Sequence, residues 1–148
     1  MLRTIRNLVL GLAALALLQV QNATAKDQVE RPTKVWGNET TYIIYIDGTV
    51  ECLGSAHETH LGKLSLWWDR GDALGTAEAA NGDQIFWTVL VYPDLSGFEI
   101  AFIDGTGRFK NVKGGLVSAV TDAELEFPGG PVVMIMRFRY TGEGTIKY

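Results

Sequence analysis

From Val35 onward the chain never sustains the i, i+3, i+4 spacing of apolar residues that an amphipathic helix needs. It runs instead in short β-type segments cut by tight turns. Thr40 to Ile46 is rich in Tyr, Ile and Thr; Asp47-Gly48 then predicts a type I′ hairpin turn, with Thr49 to Leu53 returning. Lys63 to Trp68 ends at Asp69-Arg70-Gly71-Asp72. Ala73 to Ala80 leads into Asn81-Gly82, the strongest short hairpin signal in the chain, and Gln84 to Tyr92 returns. Pro93 to Gly97 turns the chain into Phe98 to Ile103, and Asp104-Gly105-Thr106-Gly107 follows. Leu116 to Phe127, a break at Pro128-Gly129-Gly130-Pro131, Val132 to Tyr140 and a short closing run from Thr145 to Tyr148 complete the series. No crossover helix is visible that would connect parallel strands. The pattern predicts an all-β domain over residues 35–148, a small antiparallel closed or nearly closed barrel of about eight strands.

Side chains alternate across a strand, so the faces can be assigned. In the run from Val132, residues Met134, Met136, Phe138 and Tyr140 share one face, and Val133, Ile135, Arg137 and Arg139 the other. Two arginines are costly inside, so the Met134 face is predicted to be the inner one. Gln84 to Tyr92 is apolar on both faces, with Phe86, Leu90 and Tyr92 on one and Ile85, Trp87, Val89 and Val91 on the other. A strand of that kind is covered on both sides. We expect Phe86 to face the interior and Trp87 to face a second copy of the chain, making a homo-oligomer. Trp67 and Trp68 are adjacent, so one points inward. The expected inner set is Trp67, Phe86, Met134, Met136, Phe138 and Tyr140. These side chains either line an apolar ligand pocket or fill a solid core, the simpler arrangement.

Gly105 and Gly107 are read as turn residues able to take positive φ, and Gly114 with Gly115 as a bulge or tight start to the next strand. Phe109, between them, is expected to plug one end of the barrel. A phosphate loop wants a helix after its glycines, and Val112-Lys113-Gly114-Gly115 starts none.

The segment from Asp104 to Gly114, with Gly105-Thr106-Gly107-Arg108-Phe109 at its centre, resembles the glycine turn of the allene oxide cyclase and dirigent-like barrel superfamily. Thr59 to Leu64, Ala79 to Asp83 and Gly142 to Tyr148 are similar to segments of small exported bacterial proteins that look like members of that group. The resemblance implies an eight-stranded antiparallel barrel with an apolar interior, often oligomeric. In the plant members that interior binds an apolar molecule and shapes its reaction. No residue here matches their polar functional side chains, so none is carried over.

The N-terminus reads as a cleavable export signal. Arg3 and Arg6 precede Leu8 through Leu18, a stretch without a charged or polar side chain. It is shorter than the roughly 20 residues that a membrane-spanning helix needs, and Ala23-Thr24-Ala25 supplies small residues for a signal peptidase. Cleavage after Ala25 would leave residues 26–34 as a polar, flexible leader and put the protein in the periplasm or outside the cell, with no stable membrane insertion. The chain carries 17 acidic against 13 basic residues, a formal net charge of −4. An acidic protein without a basic stripe is a poor match for nucleic acid. Cys52 is the only cysteine and stands beside apolar neighbours, so it is read as a small buried hydrophobe.

Candidate chemistry is sparse. His57 and His60, three apart, point to opposite faces of a strand; they could converge on a metal only in a turn, and such a site also needs a third ligand. Ser55, His57 and Asp83 make a triad only on paper, because no serine sits in a nucleophile-elbow sequence. Asp69 and Asp72 suit a turn, and Glu124 and Glu126 share a face with Asp122 that is expected to be solvated. No metal or cofactor is expected. The chain therefore reads as an exported barrel that binds a small apolar molecule or a partner protein without catalysis. The alternative, on the resemblance alone, is a cyclase or isomerase acting on an unsaturated apolar substrate inside the barrel.

Overall fold

A computed structural model describes residues 29–148. Eight strands form one sheet: β1 (Glu30–Tyr45), β2 (Val50–Glu58), β3 (Gly62–Trp68), β4 (Gly75–Ala79), β5 (Gln84–Val91), β6 (Gly97–Gly105), β7 (Lys113–Glu126) and β8 (Val132–Lys147). Each pairs antiparallel with the next, and β8 pairs with β1, so the sheet closes on itself. A single 3₁₀ turn, Gly107–Phe109, interrupts the β6–β7 connection. The fold is the all-β, closed antiparallel barrel expected from the sequence. The expected export signal and the first residues of the leader lie outside the described residues.

The two longest strands differ from expectation in extent. Glu30 to Lys34, read as leader, belong to β1, because β8 does not stop at Tyr140 but continues to Lys147. Their pairing runs from Glu30↔Lys147 through Lys34↔Glu143, and Thr33 is buried by it. Gly142 and Gly144 look like breakers in the sequence. They are strand residues at which β7 approaches too closely for a side chain.

Both hairpin turns fall at the expected residues, but neither is type I′. The Gly48 N–H donates to the Tyr45 carbonyl at 3.0 Å, and only Gly48, with φ +81°, is left-handed. Likewise the Gly82 N–H donates to the Ala79 carbonyl at 2.9 Å, and Gly82 has φ +83°. Each is a three-residue loop, a type I turn followed by a left-handed glycine. Asp47 keeps negative φ while its Oδ1 accepts from the Thr49 N–H at 3.0 Å and the Thr49 hydroxyl at 2.5 Å. A carboxylate held this way favours the open loop over the two-residue turn.

The barrel has unlike ends. The end at which β1 begins and β8 finishes is closed: Phe109, Val112 and Ile146 have no exposed surface, and Leu61 packs with them. Phe109 is the plug expected of it, meeting Tyr148 edge to face at 5.2 Å. The other end carries the loops after β1, β3, β5 and β7. There, inward-facing apolar residues such as Ile44 and Val50, beside the β1–β2 loop, are only half-buried, as are Val89, Val91, Ile100 and Phe102 along β5 and β6.

Candidate functional site

The candidate site is the barrel interior, built in tiers by the strand register. The widest tier crosses seven strands in register: Met136 opposite Tyr42, Tyr42 opposite Cys52, and Cys52 opposite Trp68. It continues past Gly75 on β4 to Trp87, and Trp87 is opposite Phe102. The tier below holds Phe138, Thr40, Gly54, Leu66, Ala77 and Ile85. Tyr140, Gly37, Ala56, Leu64 and Ala79 form the next.

Small residues on one strand face large rings on the next. A β-carbon on Gly75 would come within 2.5 Å of the Trp87 ring, and one on Gly37 would collide with the ring of Tyr140. The rings therefore lie flat over bare backbone and reach into the lumen. Trp68 and Trp87 meet edge to face at 5.2 Å, and Phe98 bridges Phe138 at 5.7 Å and Tyr140 at 5.0 Å. These are attractive aromatic geometries.

The rings do not fill the lumen. A cavity of about 60 Å³ runs between the tiers, with an apolar wall. That exceeds the ~10–15 Å³ that one water requires, and an apolar void of this kind holds water poorly. Its wall runs from Leu61 and Glu58 near the closed base to Tyr42, Cys52 and Met136 toward the loop-bearing end.

Few polar groups enter the wall. Glu58, 1% exposed, turns its carboxylate onto the β2–β3 turn, accepting from the Leu61 N–H at 2.6 Å, the His60 N–H at 2.8 Å and the Thr59 hydroxyl at 2.9 Å. Burial pushes the Cys52 thiol up to about 12. Burial, with the Cys52 thiol second, pushes the Tyr42 phenol up to about 12 and moves Tyr140 upward as well. All three are protonated at neutral pH. Thr40 Oγ1 and Trp87 Nε1 are buried without a hydrogen-bond partner among the described residues.

The expected inner set divides. Met136, Phe138 and Tyr140 line the cavity. Met134 is buried but lies outside the cavity wall. Trp67 and Phe86 are on the outer face, a correction, and their neighbours Trp68 and Trp87 occupy the interior. Trp87 is 6% exposed and Leu90 64%, the reverse of the expected faces. The Asn81-Gly82 turn sets this register. It pairs Glu78 with Gln84, and the Gln84 amide donates to Glu78 at 2.9 Å on the outside. A solvated Glu78–Gln84 pair carries Phe86 and Leu90 outward with it and turns Ile85, Trp87 and Val89 inward. The surface invoked for a second copy is therefore the barrel's lining.

Of the turn glycines, Gly107 has φ +54°, as expected, and Gly114, read as a bulge or tight strand start, has φ +115°. Gly105 is not left-handed; it is needed for space, because a β-carbon would meet the Gln84 carbonyl at 2.5 Å. The remaining candidates do not converge. His57 stacks on Trp36 at 4.9 Å outside the barrel, whereas His60 Nε2 is 2.8 Å from the Pro32 carbonyl oxygen. Ser55 and His57 are on β2, while the Asp83 carboxylate is held in the β4–β5 turn by Asn81 and Arg108. Glu126 pairs with Arg137 at 3.1 Å in solvent. No group of three or more metal-ligating side chains gathers among the described residues.

Among the interior residues that sequence reasoning missed are Thr40, Tyr42, Glu58, Trp68 and Trp87. Strict alternation outward from Cys52 would have put Glu58 on the inner face of β2. No family model, no curated protein and no solved structure matches the chain.

Proposed function

We propose that this protein is an exported cup that binds a small apolar molecule inside the barrel without transforming it. The observation that carries the reading is the apolar cavity, closed at the Phe109 end and lined in part by half-buried Val89, Val91, Ile100 and Phe102 of β5 and β6. Inward-facing apolar side chains left accessible to solvent are the usual lining of a ligand site. The resemblance of Asp104 to Gly114 to the allene oxide cyclase and dirigent-like turn fits this reading, as does the eight-stranded antiparallel architecture. Export to the periplasm or the exterior fits the N-terminal pattern.

Binding is favoured over the cyclase or isomerase alternative by the state of the lining groups. Such chemistry needs an acid or base of suitable pKa at the reacting atom. The thiol and two phenols in the wall are held protonated, and the Glu58 carboxylate is committed to the β2–β3 turn. The test is mass spectrometry of small molecules released from exported, purified protein by organic extraction. A compound retained natively and released on denaturation is expected. An extract identical to that of a control protein prepared alongside would remove the support. N-terminal sequencing of the same material should begin at Lys26, and a start at Met1 would reject cleavage.

A further inference from the structure

The outer wall over β6, β7 and β8 carries a charge pattern that only one kind of partner matches throughout. The register sets its side chains in rows across the strands. Ala101, Gly115 and Thr145 make one row. None has a long side chain, and Gly115 cannot carry one, because a β-carbon there would collide with the Ile100 carbonyl. A shallow depression of about 600 Å³ lies over this row. On its side nearer the closed end, the next outward-facing row holds Lys113 and Lys147. On the other side the row holds Glu99, Val117 and Glu143. All of these flanking side chains are exposed. The wall therefore changes sign along the strands, from ammonium groups to carboxylates, across a line of small residues. The neighbouring β1 shows the same reversal in the opposite sense, with Glu30 beside Lys147 and Lys34 beside Glu143.

A partner of a single charge would be attracted to one flank and repelled by the other. A second copy, turned about a two-fold axis, is attracted to both. The axis lies in the plane of contact and follows the row of small residues. It reverses the strand direction of the second copy, so Lys147 of each copy comes over Glu143 of the other. Lys113 comes over Val117, whose neighbour in register is Glu99. Small residues along the axis let the two walls approach until these longer side chains meet. Val117, 59% exposed, and Ile103, 39% exposed, are then covered. The partners these carboxylates already have do not compete. Glu143 meets Lys34 at 3.0 Å and Glu99 accepts from the Tyr92 hydroxyl at 3.1 Å, both at the surface, where such contacts hold little energy.

We propose that this chain forms a two-fold symmetric dimer through the outer wall of β6, β7 and β8, centred on Gly115, with Lys147 of each copy paired to Glu143 of the other. The contact lies outside the barrel and does not depend on what the lumen holds.

Sedimentation velocity of the purified protein reads the assembly. A dimer is expected in low salt at roughly 100 µM protein, where a micromolar contact is saturated. It should dissociate in about 1 M salt, where the Debye length is about 3 Å. Glu143→Lys and Lys147→Glu should each weaken association about tenfold, because each sets like charges together at two places. Mixing the two variants should restore the dimer, since one copy then presents ammonium groups at both positions and the other carboxylates. The double variant Glu143→Lys/Lys147→Glu should also restore it. Thr145→Arg, on the axis, should leave a monomer at any salt. Residues 143, 145 and 147 are exposed, so each variant should keep the unmodified far-UV circular dichroism. A monomer in low salt would overturn the dimer. A dimer that persists at high salt or in both single variants would overturn the charge pairing and the assigned face with it. Failure of the mixed variants to associate would do the same.

Discussion

Trp68 and Trp87 touch edge to face across the full width of strand β4, because Gly75, the residue between them in register, has no side chain. The two indoles belong to strands that are not neighbours in the sheet. Their contact braces the lumen across an intervening strand, and it depends on a residue that contributes nothing but absence of bulk.

Gly75→Val should therefore disturb the interior more than its modest size suggests. The added carbons enter the Trp87 ring, and overpacking a filled site costs about 1–3 kcal/mol. Urea denaturation should show that loss, and near-UV circular dichroism should show the indole signal changed. An unchanged aromatic spectrum would mean that Trp87 does not lie where it is described.

Trp87→Glu should abolish folding, whereas Leu90→Glu should be tolerated within about 0.5 kcal/mol. Trp87 is in the lumen and Leu90 stands in solvent. A carboxylate in the lumen has no partner, and burying it costs several kcal/mol. Thermal melts of the two variants check the assignment of faces on β5. A folded Trp87→Glu protein would reverse it.

Gly107→Val should be more damaging than Gly71→Val, by about 1–3 kcal/mol. Both glycines are left-handed, with φ of +54° and +88°, so backbone strain is common to both. The difference lies in the surroundings. A β-carbon on Gly71 meets nothing within 4 Å, while one on Gly107 runs into the Asp83 carboxylate. That carboxylate also faces the guanidinium of Arg108 at 3.6 Å. Equal melting temperatures would count against the packed turn.

Stability should fall at both ends of the pH scale, for opposite reasons. Hydrogen bonds from Thr49, then Arg70, lower Asp47 to about 2, and turn hydrogen bonds also lower Asp94 and Asp104. Groups depressed in the folded state stabilise above their unfolded pKa, so this contribution is lost as pH drops from about 4 toward 2. Cys52 and Tyr42 are raised by burial to about 12. Their contribution is complete below the unfolded values of 9.0 for the thiol and 10.0 for the phenol. It is lost as pH climbs from there through the folded values. Denaturation midpoints measured across the range should show both slopes, with Asp47→Asn flattening the acid side and Cys52→Ala the alkaline side.

Strand alternation made much of this legible. The inner face of β8, the buried Cys52 and the Phe109 plug follow from period-two patterning and turn chemistry. So would Trp68 have done, because Lys63 and Ser65 share a face with Trp67 and mark it as the outer one. β5 was misread because its own sequence is apolar on both faces. The deciding information lies outside it, in Glu78 across the Asn81-Gly82 turn. Thr40 was hidden by the register shift between Gly37 and Thr40, which breaks the alternation along β1. An unmet indole N–H is a property of packing between strands far apart in the chain, and no local pattern encodes it.

The seam between β1 and β8 joins the first strand to the last along nearly its whole length, from Glu30↔Lys147 to Tyr45↔Val132. Every other pairing in the barrel joins strands that are consecutive in the chain and can be made by a local hairpin. This one requires the intervening chain to be present and its ends brought together, at an entropy cost that nothing local offsets. The cylinder therefore cannot close until the C-terminal strand is available. A chain emerging from the ribosome N-terminus first has the edge of β1 and the tryptophans of its lumen unshielded until β8 has been made.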